Sequence, residues 1–175
     1  MLIVVDVETN GSCAGLYSMI ELAAISVPTN PNKESKTFYT TLAPLPDATF
    51  ENEALAITGR KHEDTLSFTD PREAMVLFDS WLSSLQVPLK DRFTSDNVGF
   101  DWQFVNHYFI RFLGYNPFGF RQIAVPCNYT GMRKDINKRH HWKKWIKTPH
   151  DHNPINDCMG VVEALREMQK RGLTW

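Results

Sequence analysis

The order of apolar patterns predicts an α/β protein: a mixed sheet with helices on both faces. Two observations carry this. Three strand-like segments come first, and a helix, a strand and two further helices follow. Met1 to Val5 is a short, β-rich apolar run that breaks at Asp6, as a buried strand does on reaching a functional edge. Asn10-Gly11 is a turn signal. Ile20 to Val27 (IELAAISV) reads as the second strand and Lys36 to Leu42 (KTFYTTL) as the third, with short helical character between Pro44 and Gly59. Asp70-Pro71-Arg72-Glu73 starts a helix, with an acid at the N-cap, proline at the first helical position and a glutamate placed for a capping box. That helix runs to about Leu85 on an apolar face of Ala74, Leu77, Phe78, Trp81 and Leu82. Arg92 to Ser95 is a weak strand. Phe100 to Leu113 is a helix with Phe100, Phe104, Val105, Tyr108 and Phe112 on one stripe, ended by Gly114, Asn116-Pro117 and Gly119. Ile123 to Cys127 reads as a short strand or extended loop. The last helix begins near Pro154 to Asn156 and runs to about Gln169, burying Val161, Val162, Leu165 and Met168.

The 175 residues suffice for one domain, taken as residues 1–175, with no repeat or obvious linker inside it. A hydrophobic content of 42% and a charged content of 22% are those of a folded chain rather than a disordered one. No run of eighteen apolar residues is present, which speaks against a membrane span, and the start MLIVVDVETNG lacks the basic region of a signal peptide. Cys13, Cys127 and Cys158 are odd in number and widely spaced. They predict neither a disulfide framework nor a zinc ribbon, and a cytoplasmic protein fits best.

Charge is uneven. Between Arg133 and Lys147, seven basic residues (Arg133, Lys134, Lys138, Arg139, Lys143, Lys144, Lys147) face one acid, Asp135. That segment carries +6 in a chain of net charge −1, leaving −7 elsewhere. Such a strip is either a solvated face or a track for a polyanion.

Three constellations carry chemistry. In Asp6-Val7-Glu8, residues i and i+2 of a strand project both carboxylates from one face. Two adjacent carboxylates repel, which raises a pKa or calls for a cation, and hard divalent ions prefer oxygen ligands. Exposed strand ends and glycosidase pairs share that pattern. In Asn97-Val98-Gly99-Phe100-Asp101 the aspartate opens a helix, where it could also be a plain N-cap. In His152-Asn153-Pro154-Ile155-Asn156-Asp157 the histidine sits on a loop and the aspartate in the first turns of the last helix, where a negative charge complements the helix dipole. Four of the six histidines crowd into residues 140–152, so His152 alone would be unremarkable.

Together and in this order, D-x-E on the first strand, N-x-x-F-D opening a middle helix and H-x-x-x-x-D near the end resemble the three motifs of the DEDDh exonucleases. The resemblance spans residues 6 to 157. It is supported by Ile20-Glu21-Leu22-Ala23-Ala24, similar to the family's second strand, and by Ile57-Thr58-Gly59, similar to the turn after its third. Within the superfamily the chain resembles the small stand-alone enzymes of bacteria and phages. Three positions depart from the family pattern: Asn10 stands where a second threonine is frequent, and Pro154 and Cys158 where alanine is common.

The resemblance implies a ribonuclease H-like exonuclease fold with a mixed sheet of about five strands. It implies a metal-dependent 3′–5′ exonuclease using two Mg²⁺ or Mn²⁺ ions. Asp6 would bridge both ions, Glu8 and Asp157 would complete one site, and Asp101 would hold the other. His152 would take the proton of the attacking water, since histidine changes charge near neutrality. His150, at the wrong spacing for the motif, would be structural or lie beside the substrate. Thr9, Asn97, Lys143 and Lys144 are candidate substrate contacts. The implied partner is single-stranded nucleic acid, DNA or RNA, with a homodimer left open and no membrane.

Residues 100–120 hold nine aromatics, which at helical spacing are expected to be mostly core. Trp142 and Trp145, interleaved in the basic strip, could stack bases. Two other functions compete: a non-catalytic nucleic-acid-binding module, against which the intact five-residue set argues, and a proofreading subunit working beside a polymerase.

Overall fold

A computed structural model describes residues 1–131, 137 and 140–175. Arg133, Lys134, Asp135, Lys138 and Arg139 of the basic strip lie outside the described residues. The sheet contains β1 (Leu2–Thr9), β2 (Met19–Val27), β3 (Thr37–Thr41) and β4 (Phe93–Thr94), in the order β3-β2-β1-β4. The first three strands pair antiparallel, and β4 joins β1 in parallel. The helices are α1 (Asn52–Ile57), α2 (His62–Thr65), α3 (Pro71–Ser84), α4 (Val98–Leu113), α5 (Val125–Gly131) and α6 (Pro154–Lys170). A 3-10 turn spans His141–Trp145. None of the described helices is long and apolar enough to cross a membrane.

Alternation along β1 divides the core. Ile3, Val5 and Val7 pack against α3 and α4, while Leu2 and Val4 face α6 through Cys158, Val161 and Leu165. Helices therefore cover both faces, as expected. The described sheet has four strands rather than about five. Ile123 donates its N–H to Phe93 O at 2.9 Å beside β4 but forms no strand, because the chain turns into α5 two residues later. Pro126 accounts for this: it cannot donate to a ladder, and it fits the first turn of a helix.

Three further expectations shift. β1 does not break at Asp6 but continues to Thr9, because β2 pairs with it along that whole length. The buried stripe of α3 is Ala74, Met75, Phe78 and Leu82, leaving Leu77 47% exposed. Leu77 lies well round the helix from the centre of that stripe at 3.6 residues per turn. The α3 N-cap is as predicted, with the Asp70 carboxylate accepting from the N–H groups of Arg72 and Glu73. No return bond from Asp70 N–H to the Glu73 side chain completes the expected capping box among the described residues. In α4, Phe104, Val105, Tyr108 and Phe109 are buried, whereas Phe100 and Phe112 are only partly covered.

The β1–β2 ladder slips between Glu8 and Thr9: Glu8 faces Glu21, but Thr9 faces Met19. Tyr108, fully buried, repairs the bulge. Its hydroxyl accepts from Met19 N at 2.9 Å and donates to Met19 O at 3.3 Å. Tyr108→Phe leaves a buried N–H unpaired and should cost about 1–3 kcal/mol of stability. Urea unfolding measures this, and an unchanged midpoint would remove the hydroxyl from the account of the bulge.

Candidate active site

β4 is only two residues long, so the parallel ladder ends at the Val4–Thr94 pair and the next N–H groups along that edge of β1 lack a strand partner. Asp101, in the first turn of α4, fills the gap: its Oδ1 accepts from Val7 N at 3.2 Å. It is therefore not an N-cap. The residue is 3% exposed, and the backbone bond aims it across the strand end. On the opposite face of β1, Asp6 and Glu8 continue the row begun by Leu2 and Val4. The α6 helix supplies the fourth acid there, Asp157, from its first turn. Asn153 caps that helix, accepting from Ile155 N at 3.0 Å, and Pro154 occupies its start.

Asp6, Glu8, Thr9, Asn97, Asp101, His152 and Asp157 all line one cleft of about 530 Å³, together with Gly11, Ser12, Ile57, Phe100 and His150. Ligand oxygens of Asp6, Glu8 and Asp157 lie within 4.8 Å of one another. Burial, and after it the charges of Asp101, Glu8 and Asp157, hold the Asp6 carboxyl well above the usual range. Burial and then Asp157 push Glu8 up to about 8, and burial raises Asp101 as well. Asp157 Oδ1 is buried without a hydrogen bond among the described residues, its nearest basic neighbour being His150 Nδ1 at 2.7 Å. Glu51, Glu53 and Asp96 add further carboxylates to the walls. This oxygen-rich, self-repelling set fits divalent cations.

Both histidines enter the cleft. His152 lies in the left-handed region (φ 57°), with Nδ1 3.9 Å from Glu8 Oε1 and its ring 4.9 Å from that of His150. Strained backbone of this kind tends to occur at functional sites. The Thr9 hydroxyl donates to Gly11 O at 2.7 Å, and Asn97 precedes α4 without a side-chain cap bond. Asn10, one of the departures, ties the loop together: its Oδ1 accepts from Ser18 N, and its carbonyl from Glu51 N at 2.8 Å.

Of the other candidates, Lys143 pairs with Asp96 at 2.9 Å beside the cleft, whereas Lys144 lies over the Trp145 ring. Trp142 is fully buried in the core under α6, so it does not stack bases; Trp145 is partly covered by Lys144 and Arg171. Phe100 reaches the cleft, Phe120 is 96% exposed, and Phe104, Tyr108, Phe109 and Phe118 are core.

Two supporting groups were assigned no role from the motifs. Glu21 stands directly opposite Glu8 in the ladder, where like charges repel. Arg60 Nε donates to its Oε1 at 2.8 Å and the Tyr39 hydroxyl to its Oε2 at 2.6 Å, drawing Glu21 away and leaving Glu8 to the cleft. A charged residue inside the apolar run IELAAISV was the available signal. Glu163 accepts from Lys147 N, Thr148 N and the Thr148 hydroxyl, pinning to α6 the loop that leads to His150 and His152. Its solvated helical position gave no warning.

Comparison with known proteins matches residues 3–165 to the RNase T family of exonucleases. The chain belongs to that family. It is 33% identical over 178 residues to the 3′–5′ DNA exonuclease Cap18 of Escherichia coli, covering 95% of this chain and 90% of that one. The fold matches the nuclease domain of 3′hExo, a DEDDh family member bound to rAMP (TM-score 0.74, 12% identity, 98% of this chain and 92% of that one). It also matches cell-death related nuclease 4 (TM-score 0.75, 17% identity, 98% of this chain), where this chain spans 64% of the longer partner. The protein is thus a hydrolytic 3′–5′ exonuclease of the DEDDh type, acting on nucleic acid.

The raised carboxylates make the metal-free fold sensitive to pH. In the unfolded chain these groups lose their protons near pH 4. In the fold Glu8 keeps its proton to about 8, so the native state binds more protons between those values. Stability in chelator should therefore fall as pH rises from about 4 to about 8. Glu8→Gln should flatten that slope in urea titrations, and a slope identical to wild type would contradict the assignment.

Proposed function

We propose that residues 1–175 act as one exonuclease domain that shortens single strands from the 3′ end, releasing nucleoside 5′-monophosphates. The observation that carries this reading is the convergence of four carboxylates and two histidines at one end of a cleft of nucleotide dimensions. Among the described residues seven carboxylates line that cleft, so a phosphodiester can enter only with cations to screen it. Asp6, Glu8, Asp101 and Asp157 would hold two Mg²⁺ or Mn²⁺ ions, which supply an activated water and stabilise the attacking and leaving oxygens.

The remaining steps belong to the chain. Of the four acids, Glu8 and Asp157 would serve one ion beside Asp6, and Asp101, one of whose oxygens accepts from Val7 N, would serve the other with Asp6 common to both. The terminal base lies between Ile57, 58% exposed on α1, and Phe100 of α4, both in the wall of the cleft. Gly11 and Ser12 face the sugar, with Thr9 and Asn97 at its rim. His152 accepts the proton of the attacking water, and its partly exposed ring can pass that proton to solvent. His150, against Asp157, steadies the ligand rather than serving as the base.

An acidic cleft admits one strand end more readily than a paired end, because the terminal base must leave its stack to reach Phe100. The resemblance to Cap18 favours DNA. Incubation of end-labelled DNA and RNA oligonucleotides with Mg²⁺, Mn²⁺ or chelator tests the reading. Stepwise loss of 5′-mononucleotides from DNA is expected with metal, and none in chelator. Asp6→Asn should abolish turnover with the fold retained, and near wild-type hydrolysis by that variant would overturn the assignment.

The two histidines are separable. His152→Ala should lower kcat by roughly 10²–10⁴. His150→Ala should act mainly through metal affinity, its loss partly restored by raising Mn²⁺. A larger, metal-insensitive loss at His150 would exchange their roles.

A further inference from the structure

A second groove of about 320 Å³ opens on the far side of the carboxylate cluster. It shares Asp6, Asp96, His150 and Asp157 with the catalytic cleft, so the two cavities adjoin at the cluster. Trp142, Ile146, Gly160 and Val161 supply its apolar surfaces, and Lys143, Thr148 and Asn156 its other polar ones. Its shape depends on the absence of a side chain at Gly160, where a Cβ would come within 2.9 Å of Ile146 Cγ2.

The groove differs from the cleft in charge. To the acids and the histidine it shares with the cleft, the groove adds Lys143, whose Nζ reaches Asp96 at 2.9 Å with about half its side chain exposed. A half-exposed cation beside an apolar wall suits one phosphodiester and the edge of its nucleoside. Lys144 and Lys147, though adjacent in sequence, do not line this groove.

We propose that this groove is the subsite for the nucleotide immediately 5′ to the scissile bond, with Lys143 releasing Asp96 to pair with that nucleotide's 5′-phosphate. This rests on the exonuclease reading above and deepens it. A strand whose last base lies against Phe100 and whose scissile phosphate lies at Asp6 and Asp157 leaves the cleft over those shared carboxylates. The groove is the surface it meets next. Asp96, standing on both cavities, holds Lys143 near the passage until a phosphate displaces it.

A single-stranded DNA of about ten nucleotides can carry one uncharged methylphosphonate at the phosphate next upstream of the scissile one. The control strands are the all-phosphate strand and one modified five positions upstream. With wild type and Mn²⁺, the adjacent modification should raise KM roughly tenfold, the worth of one charge-assisted contact, with little change in kcat. The distant modification should have little effect. Lys143→Gln should raise KM for the all-phosphate strand by a similar factor and abolish the extra penalty of the adjacent modification. Lys144→Gln should retain that penalty. Lys143→Gln showing the full wild-type penalty, or wild type showing none, overturns the subsite. Failure of wild type to hydrolyse even the all-phosphate strand instead contradicts the exonuclease reading itself.

Discussion

Four carboxylates held at one strand end in low-dielectric surroundings repel one another, and much of the local structure exists to keep them there. Asp6 and Glu8 are pushed toward the protonated form by burial and by the charges of their neighbours in the cluster, and Asp101 by burial and then Asp96. An isolated strand end would relieve this by fraying into water. Here β2 pairs with β1 through Thr9, Tyr108 secures the bulge beyond Glu8, and Asp101 is anchored to Val7 N. On the function proposed above, divalent cations would complete a cluster that is unfavourable alone.

The supporting shell follows from the same constraint. Glu21 opposite Glu8 would add a fifth competing anion, and Arg60 with Tyr39 removes it to one side. Glu163 gathers Lys147 and Thr148 onto α6, so the loop delivering His150 and His152 is tethered where it enters the site. The loop from Asn10 to Ser18, closed by the Asn10 side chain and by Tyr17 packed over Gly11, also carries the backbone bond to Glu51 that sets the start of α1 and thus Ile57.

Much of this was legible in the sequence because its signals are local. The i, i+2 carboxylates on a strand, Asp70-Pro71 before α3 and Asn153-Pro154 before α6 are each read within a few residues. Elements that depend on distant partners were harder. Ile123 to Cys127, read as a short strand or extended loop, stays extended only to Ala124 and enters α5 at Val125, because Pro126 suits a helical turn better than a ladder. Leu77 is apolar yet exposed because Met75 takes the buried phase. The histidine spacing separated His152 from His150, but not that both reach the cleft, since the approach of His150 to Asp157 depends on how residues 147–152 fold back on α6. Trp142 read as a stacking surface from its basic neighbours, whereas packing against α6 made it core.

The central claim is that the acidic cluster is held together for divalent ions, so metal should stabilise the fold where charge alone destabilises it. The most direct test is thermal unfolding at pH 8 over a range of Mn²⁺ and Mg²⁺ concentrations, for wild type and Asp157→Ala. At a hundredfold excess over Kd, wild type should gain about 2.7 kcal/mol per independent ion and its melting temperature should rise accordingly. Asp157→Ala should melt no lower than wild type in chelator and show a much smaller rise with metal. A wild-type melting temperature indifferent to both ions, or an Asp157→Ala response equal to that of wild type, would contradict the account.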